Sequence, residues 1–219
     1  MMKFIFAASA ALAAASASAQ VGSVVSEPTQ AFNGPYIGIQ GGWQQDEQRL
    51  GLATADGSFY RARDRTSGFA YGGQIGYDYR LSPHFVLGVE ASATGRTGDG
   101  RSYDGYNNIY DLRVGRTFNG TGRLGYLVNP GGLVYVRGGY SNARFDTGNG
   151  TGYDVENRDG YTVGVGYEQA IARAVTARVE YNYSEYGTRN LYDASFANEG
   201  NVTSNYRRNA VTAGLNFHF

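Results

Sequence analysis

From Phe69 to Arg80 residue character alternates with a period of two, and this alternation limits what the chain can fold into more than any other feature. The odd positions read Phe69, Tyr71, Gly73, Ile75, Tyr77 and Tyr79, and the even ones Ala70, Gly72, Gln74, Gly76, Asp78 and Arg80. A helix would mix the two sets around its circumference, whereas a strand sends them to opposite faces. One face is aromatic and apolar, the other small and polar. The pattern returns after Leu81-Ser82-Pro83-His84, with Phe85, Leu87, Val89, Ala91 and Ala93 on one face and Val86, Gly88, Glu90, Ser92 and Thr94 on the other. The two runs read as a hairpin.

Two more hairpins follow. One turns at Asn129-Pro130-Gly131-Gly132, and one joins residues 161–170 to 175–186 across 171–174. Residues 36–44 open the series, with Ile37, Ile39, Gly41 and Trp43 on one face. Residues 207–219 close it, with Val211, Ala213, Leu215, Phe217 and Phe219 on one face. Eight strands result. Asn119-Gly120, a strong hairpin dipeptide, is read through as strand, because the even face from Leu112 to Val128 keeps its phase and a further turn would leave an odd strand number. Arg116 breaks that apolar face and is expected at the outer headgroups.

The remaining links, residues 45–67, 95–108, 144–159 and 187–206, are long and polar. Short turns alternating with long links are the pattern of an up-and-down transmembrane barrel with short periplasmic turns and long extracellular loops. The N-terminus is expected to be an address: Lys3, the apolar run 4–15 and Ala17-Ser18-Ala19 fit a signal peptide over residues 1–19, cleaved before Gln20. Residues 20–34 are then a short periplasmic segment, and the barrel occupies 35–219.

Composition supports this class. The chain holds 33 Gly and 19 Tyr against 4 Pro and no Cys, which suits many strands and turns without disulfides. The expected mature part is close to charge balance, so no basic excess points to nucleic acid. Negative mean hydropathy does not exclude a membrane, because barrel strands alternate lipid-facing and lumen-facing residues. A soluble barrel or sandwich would hide its apolar face and show the polar one to water. Here the inward face carries Glu90, Arg123, Arg137, Arg178 and Glu180, and an eight-stranded interior only just fits side chains. The greasy face must therefore meet lipid. Trp43 and Phe69 toward the long-link ends, and Tyr77, Tyr79, Phe85, Tyr167 and Phe217 toward the short-turn ends, are expected to form two interfacial girdles.

The segments Phe32-Asn33-Gly34-Pro35-Tyr36-Ile37-Gly38, Gly122-Arg123-Leu124-Gly125-Tyr126, Gly160-Tyr161-Thr162-Val163-Gly164 through Arg178-Val179-Glu180-Tyr181, and Ala213-Gly214-Leu215-Asn216-Phe217-His218-Phe219 resemble the opacity-protein-like and OmpA-like outer-membrane barrels of Gram-negative bacteria. The resemblance covers essentially the whole expected mature length. It implies a location in the outer membrane among its lipids and lipopolysaccharide. It also implies insertion by the barrel-assembly machinery with periplasmic chaperones, Leu215, Phe217 and Phe219 serving as the assembly signal. Unlike full-length OmpA-like proteins, the chain is expected to carry no peptidoglycan-binding domain after its last strand.

Glu90, Arg123, Arg137 and Glu180 are expected to share one layer of the lumen and to pair, because an unpaired buried charge is costly. The pairs read as a plug; as the alternative, they gate a small, low-conductance pore. Enzyme barrels place a His with an acid or Ser at the outer rim. The two histidines, His84 in a periplasmic turn and His218 near the end, do not reach it, so no enzyme and no catalytic residue is expected. Gly148 to Asp154 echoes a calcium β-roll turn but occurs once, and reads as a loop tip; Gly72-Gly73 and Gly164-Val165-Gly166 read as close-packing positions in the wall rather than phosphate turns. No metal or cofactor is expected. Specific function then falls to the links, as an envelope or adhesin-like role toward an extracellular or host ligand. Arg61, Arg63, Arg65, Arg96, Arg101, Arg189, Arg207 and Arg208 are placed there as candidates for lipopolysaccharide phosphates.

Overall fold

The computed structural model describes residues 31–53, 59–97, 101–103, 109–148, 153–190 and 202–219, with side chains over 31–47, 65–97, 115–144, 157–187 and 206–219. The described residues form β1 (Gly34–Ala53), β2 (Phe59–Arg80), β3 (Phe85–Thr97), β4 (Arg101–Tyr103), β5 (Ile109–Asn129), β6 (Gly132–Gly148), β7 (Tyr153–Ala172), β8 (Val175–Asn190) and β9 (Val202–His218). The sheet order β3-β2-β1-β9-β8-β7-β6-β5-β4 closes through β3–β5 pairing. Because β3 and β4 both lie against β5, they form one stave, and the barrel is eight-stranded and antiparallel throughout.

The register fixes its shape. Trp43 pairs with Phe69 on one side. On the other, the ladder runs from Trp43 through Val211, Tyr181, Val165, Val136, Leu124 and Leu87 to Tyr79. One circuit thus returns to β2 ten residues from where it began. A shear of ten over eight strands tilts the staves by about 40°. The stretch from Phe69 to Tyr79 then spans roughly 25 Å along the barrel axis, the height of an outer-membrane apolar band.

Faces separate as the alternation requires. Ile39 is 68% and Val89 62% exposed, while Gln74, Asp78, Glu90 and Ser92 between such positions are buried. The polar side faces the lumen and the apolar side faces outward, which is stable only against hydrocarbon. Gly73, Ala91 and Ala93 leave a shallow hollow on the outer wall beside Ile37, Ile75 and Phe118.

The turns at one end are short. Ser82 Oγ accepts from the Phe85 N–H at 3.1 Å, and Asn129 Oδ1 accepts from the Gly131 N–H at 3.0 Å. Beneath them Phe32 and Ala31 fold into the barrel mouth with Val86, Leu127, Leu133, Tyr135 and Ala170. Phe32 takes a positive φ of 69°, held by Arg80, whose Nη2 donates to the Ala31 carbonyl at 3.2 Å and whose N–H donates to Asn33 Oδ1 at 3.2 Å. The end of the segment expected on the periplasmic side, Ala31 and Phe32, is a stopper in the barrel mouth; residues 1–30, with the expected signal peptide, lie outside the described residues.

The four links correct the sequence expectation most. Much of what reads as long loop is strand: β1 and β2 stay paired to Ala53↔Phe59, β6 and β7 to Gly148↔Tyr153, and β8 and β9 to Asn190↔Thr203. Among the described residues, pairing between β2 and β3 extends no further than Phe69↔Thr97, and between β7 and β8 no further than Gly160↔Tyr186. Above the apolar band the described residues of the wall form two four-stranded sheets, β8-β9-β1-β2 and β4-β5-β6-β7. Extended pairing needs no apolar face when both sides are wet, so hydrophobic alternation stops marking it. The tip at Gly148 to Asp154 falls partly on residues outside the described set.

β5 runs unbroken through Asn119-Gly120. A register shift lies between Val114 and Thr117, however. The phase read as continuous down to Leu112 changes there, and exposed Arg116 sits where the bulge takes up its extra residue.

Candidate functional site in the barrel lumen

Inward residues stack in three charged layers above the stopper. In the lowest, Arg123 of β5 grips Asp78 of β2 with Nε, at 2.8 Å, and Nη2, and reaches Glu168 of β7 with Nη1 at 2.9 Å. Asp78 and Glu168 are fully buried. Glu168 also accepts from Asn216 Nδ2 at 2.7 Å and from Thr176 Oγ1. His218 lies at this level, with Nε2 3.1 Å from Thr176 Oγ1 and 3.5 Å from Glu168 Oε1, and Phe32 meets its ring edge-on at 5.9 Å. The Tyr36 and Tyr135 rings flank Arg123, their centroids 4.8 and 5.2 Å from its Cζ.

The middle layer holds two arginines and two glutamates. Arg137 Nη1 stands 2.7 Å from Glu180 and 3.0 Å from Glu90, while Arg178 Nη1 stands 2.5 Å from Glu90 and 4.0 Å from Glu180. Each carboxylate accepts a phenol as well, Tyr36 to Glu90 at 2.8 Å and Tyr135 to Glu180 at 2.7 Å. Arg137 Nη2 donates to Thr121 Oγ1 at 2.7 Å and Arg178 Nη2 to Gln40 Oε1 at 3.1 Å. Such dense satisfaction is what makes buried charge tolerable, and losing one member of a buried pair costs about 3–5 kcal/mol.

The upper layer is Asp46, Arg96 and Arg208. Asp46 receives Arg96 Nη1 at 3.0 Å, Arg208 Nε at 2.7 Å and Gln44 Nε2 at 3.0 Å. Arg208 Nη1 donates to Thr117 Oγ1 at 2.9 Å, and the Tyr186 and Tyr206 rings lie 5.6 and 5.8 Å from its Cζ.

Of the residues expected in one luminal layer, Glu90, Arg137 and Glu180 come together, with Arg178. Arg123 does not: it belongs to the layer below, with Asp78 and Glu168. Height counted from the nearest turn ignores the stagger between neighbouring strands that the shear imposes. Arg96 and Arg208, assigned to loops as phosphate ligands, are buried inward residues of β3 and β9. Arg65 and Arg207 do lie outside the lumen, in ion pairs with Glu47 at 3.1 Å and Glu185 at 3.3 Å. The side chains of Arg61, Arg63, Arg101 and Arg189 fall outside the described set. Trp43, Phe69, Tyr77, Tyr79, Phe85 and Phe217 are exposed on the outer wall, as are Leu215 and Phe219; Tyr167 is half-buried, its hydroxyl donating to Gln169 Oε1 at 2.5 Å. His84 stacks on Tyr126 at 5.8 Å in a short turn.

Sequence reasoning missed Asp46, and also Asp78 and Glu168, for which a signal was present. Gly76-Tyr77-Asp78 ending in Val89-Glu90 and Gly166-Tyr167-Glu168 ending in Val179-Glu180 share one spacing. The structure gives the repeat its meaning: Tyr36 pairs with Gly76 and Gly76 with Glu90, just as Tyr135 pairs with Gly166 and Gly166 with Glu180. Arg123 binds the acid two residues after each glycine and so joins the two copies.

Residues 5–219 match the model of a family described as outer membrane protein beta-barrel domain. The chain is 29% identical to the 31 kDa outer-membrane immunogenic protein of Brucella melitensis biotype 1 along the full length of both. It is 32% identical to the 22 kDa outer membrane protein of Rhizobium leguminosarum bv. viciae over 155 residues, which cover 69% of this chain and 67% of the relative. Among solved structures, Neisserial surface protein A aligns with a TM-score of 0.48 at 16% identity, covering 85% of this chain and 98% of that one. Ail of Yersinia pestis aligns with a TM-score of 0.44 at 14% identity, covering 84% and 99%.

Proposed function

Because the chain belongs to the outer-membrane protein β-barrel family, and so resides in the bacterial outer membrane, we propose that it works at the cell surface, through the two sheets that continue its wall above the apolar band, and that the lumen serves as a closed scaffold. The observation that carries this reading is the filling of the lumen: Phe32 stops one end, and three layers of mutually bonded charges cross it above. Charges locked into pairs on rigid strands support a fixed barrel better than a passage.

The surface role is that of an envelope or adhesin-like protein. Arg65, four residues beyond Phe69 on β2, and Arg207, four residues before Val211, the β9 partner of Trp43, would stand at the height of the outer-leaflet headgroups. Lipid A phosphates are the anions that guanidinium forks there would meet. A role at the surface accords with the immunogenic naming of the full-length Brucella relative. Trp43 and Phe69 would form the outer girdle, and Tyr77, Tyr79, Phe85 and Phe217 the periplasmic one. The row Leu215, Phe217 and Phe219 would be read by the insertion machinery during assembly.

Two measurements on one pair of proteins test the reading. Single-channel recording of the wild type should show a silent bilayer. A variant with β1 and β2 joined by a two-residue turn directly above Gln44 and Gly68 should still fold as a heat-modifiable barrel but lose cell-surface binding or envelope integrity. Steady wild-type conductance that rises in Glu90→Ala would instead support the small porin.

A further inference from the structure

The charge layers do not balance one by one. The middle layer is neutral, with two arginines and two glutamates. The upper layer sets two guanidiniums against the single carboxylate of Asp46, and among the described residues neither Arg96 nor Arg208 pairs with another acid. Both arginine side chains are nine-tenths buried or more, at 5% and 7% exposure. A buried positive excess of this kind is costly unless a counter-charge meets it.

A second, independent feature sits at the same place. Arg208 lines a polar cavity of about 50 Å³ between the upper and middle layers, walled by Thr94, Thr117, Ser92, Thr212 and Gln44. Its Nη2 is buried with no hydrogen-bond partner. The floor is Arg137 with Glu180, a pair already closed at 2.7 Å. Thus an excess cation, whose Nη1 already reaches Thr117 in the cavity wall, lines a cavity whose hydroxyls can turn their protons inward.

We propose that this cavity is a binding site for a small monovalent anion of the halide class, held by Arg208 and wall hydroxyls. Charge decides the valence: one negative charge neutralises the upper layer, whereas a divalent phosphate or sulfate would leave an excess beside Asp46 and Glu180. Size permits it, since about 50 Å³ exceeds the roughly 10–15 Å³ that one water needs and leaves room for an ion with water beside it. Bound there, the anion ties β9 to β3 and β5, bracing the barrel near the top of the apolar band.

Crystals of the wild-type protein grown with bromide replacing chloride test this by anomalous scattering. The expected result is a bromide peak in the cavity within hydrogen-bonding reach of the Arg208 guanidinium. Arg96→Gln, which removes the excess charge without touching the cavity wall, should abolish the peak while the barrel keeps its heat-modifiable migration. Water alone in the wild-type cavity, bromide at surface positions only, or undiminished bromide in Arg96→Gln would overturn the proposal. The wild-type result stands by itself if that variant does not fold.

Discussion

The phenol ring of Tyr135 lies across the backbone of Gly166, its directly paired neighbour, so that a Cβ on Gly166 would stand about 2.9 Å from ring carbon Cε1 and closer still to Cζ. Tyr36 covers Gly76 in the same way on the other side of the lumen. The glycines let the rings lie flat against the wall, and the flattened rings leave room for Arg123 between them while their hydroxyls reach Glu180 and Glu90. The lower two layers are one cross-linked unit built twice from the same short pattern.

Gly166→Ala and Gly76→Ala should therefore each destabilise the barrel by about 1–3 kcal/mol, the usual cost of overpacking. Gly120→Ala, where an added Cβ meets nothing within 4 Å, should be neutral or slightly stabilising. Urea unfolding midpoints in lipid vesicles check the contrast; equal effects at all three positions would contradict the ring-over-glycine arrangement.

Arg123→Met leaves Asp78 and Glu168 facing each other without their shared cation. Loss of about 3–5 kcal/mol is expected. Adding Glu168→Gln to Arg123→Met removes one of the two opposed charges and should recover part of that loss. A double-mutant cycle measures the coupling; strictly additive effects would mean that Arg123 does not join the two halves.

Trp43 is the only tryptophan, so fluorescence reports one site. Its emission should shift to the blue when the unfolded chain is mixed with vesicles, and a quencher attached near the headgroups should act more strongly than one at the bilayer centre. Stronger quenching from the centre would displace Trp43 from the proposed outer girdle.

How much of this was legible beforehand follows from where the physical signal lies. The eight staves, three short turns and facing of β2 and β3 could be read because one side of each strand meets hydrocarbon, which enforces alternation. Above Trp43 and Phe69 both sides of the wall lose that requirement, so the continuing strands from Gln45 and up to Ser67 look like loop. Glu90 and Glu180 stood out against apolar neighbours in phase. Asp46 and Arg208 lie beyond the apolar band, where an inward charge and a solvated one look alike. The separation of Arg123 from Glu90 and Arg137 needed the shear, which pairing alone reveals. The bulge beside Arg116 left only one blemish in an otherwise regular face.

The apolar side of the wall meets lipid and the polar side the lumen, and everything else in the barrel depends on it. The chain contains no cysteine, so single spin labels can be placed at Ile75, Val89, Val136 and Val163 on one side and at Ser92, Ser141 and Thr162 on the other. In reconstituted vesicles the first set should collide with dissolved oxygen and be shielded from a water-soluble nickel reagent, while the second should show little contact with oxygen. Oxygen contact at the serines and threonine, with nickel contact at the isoleucine and valines, would contradict it.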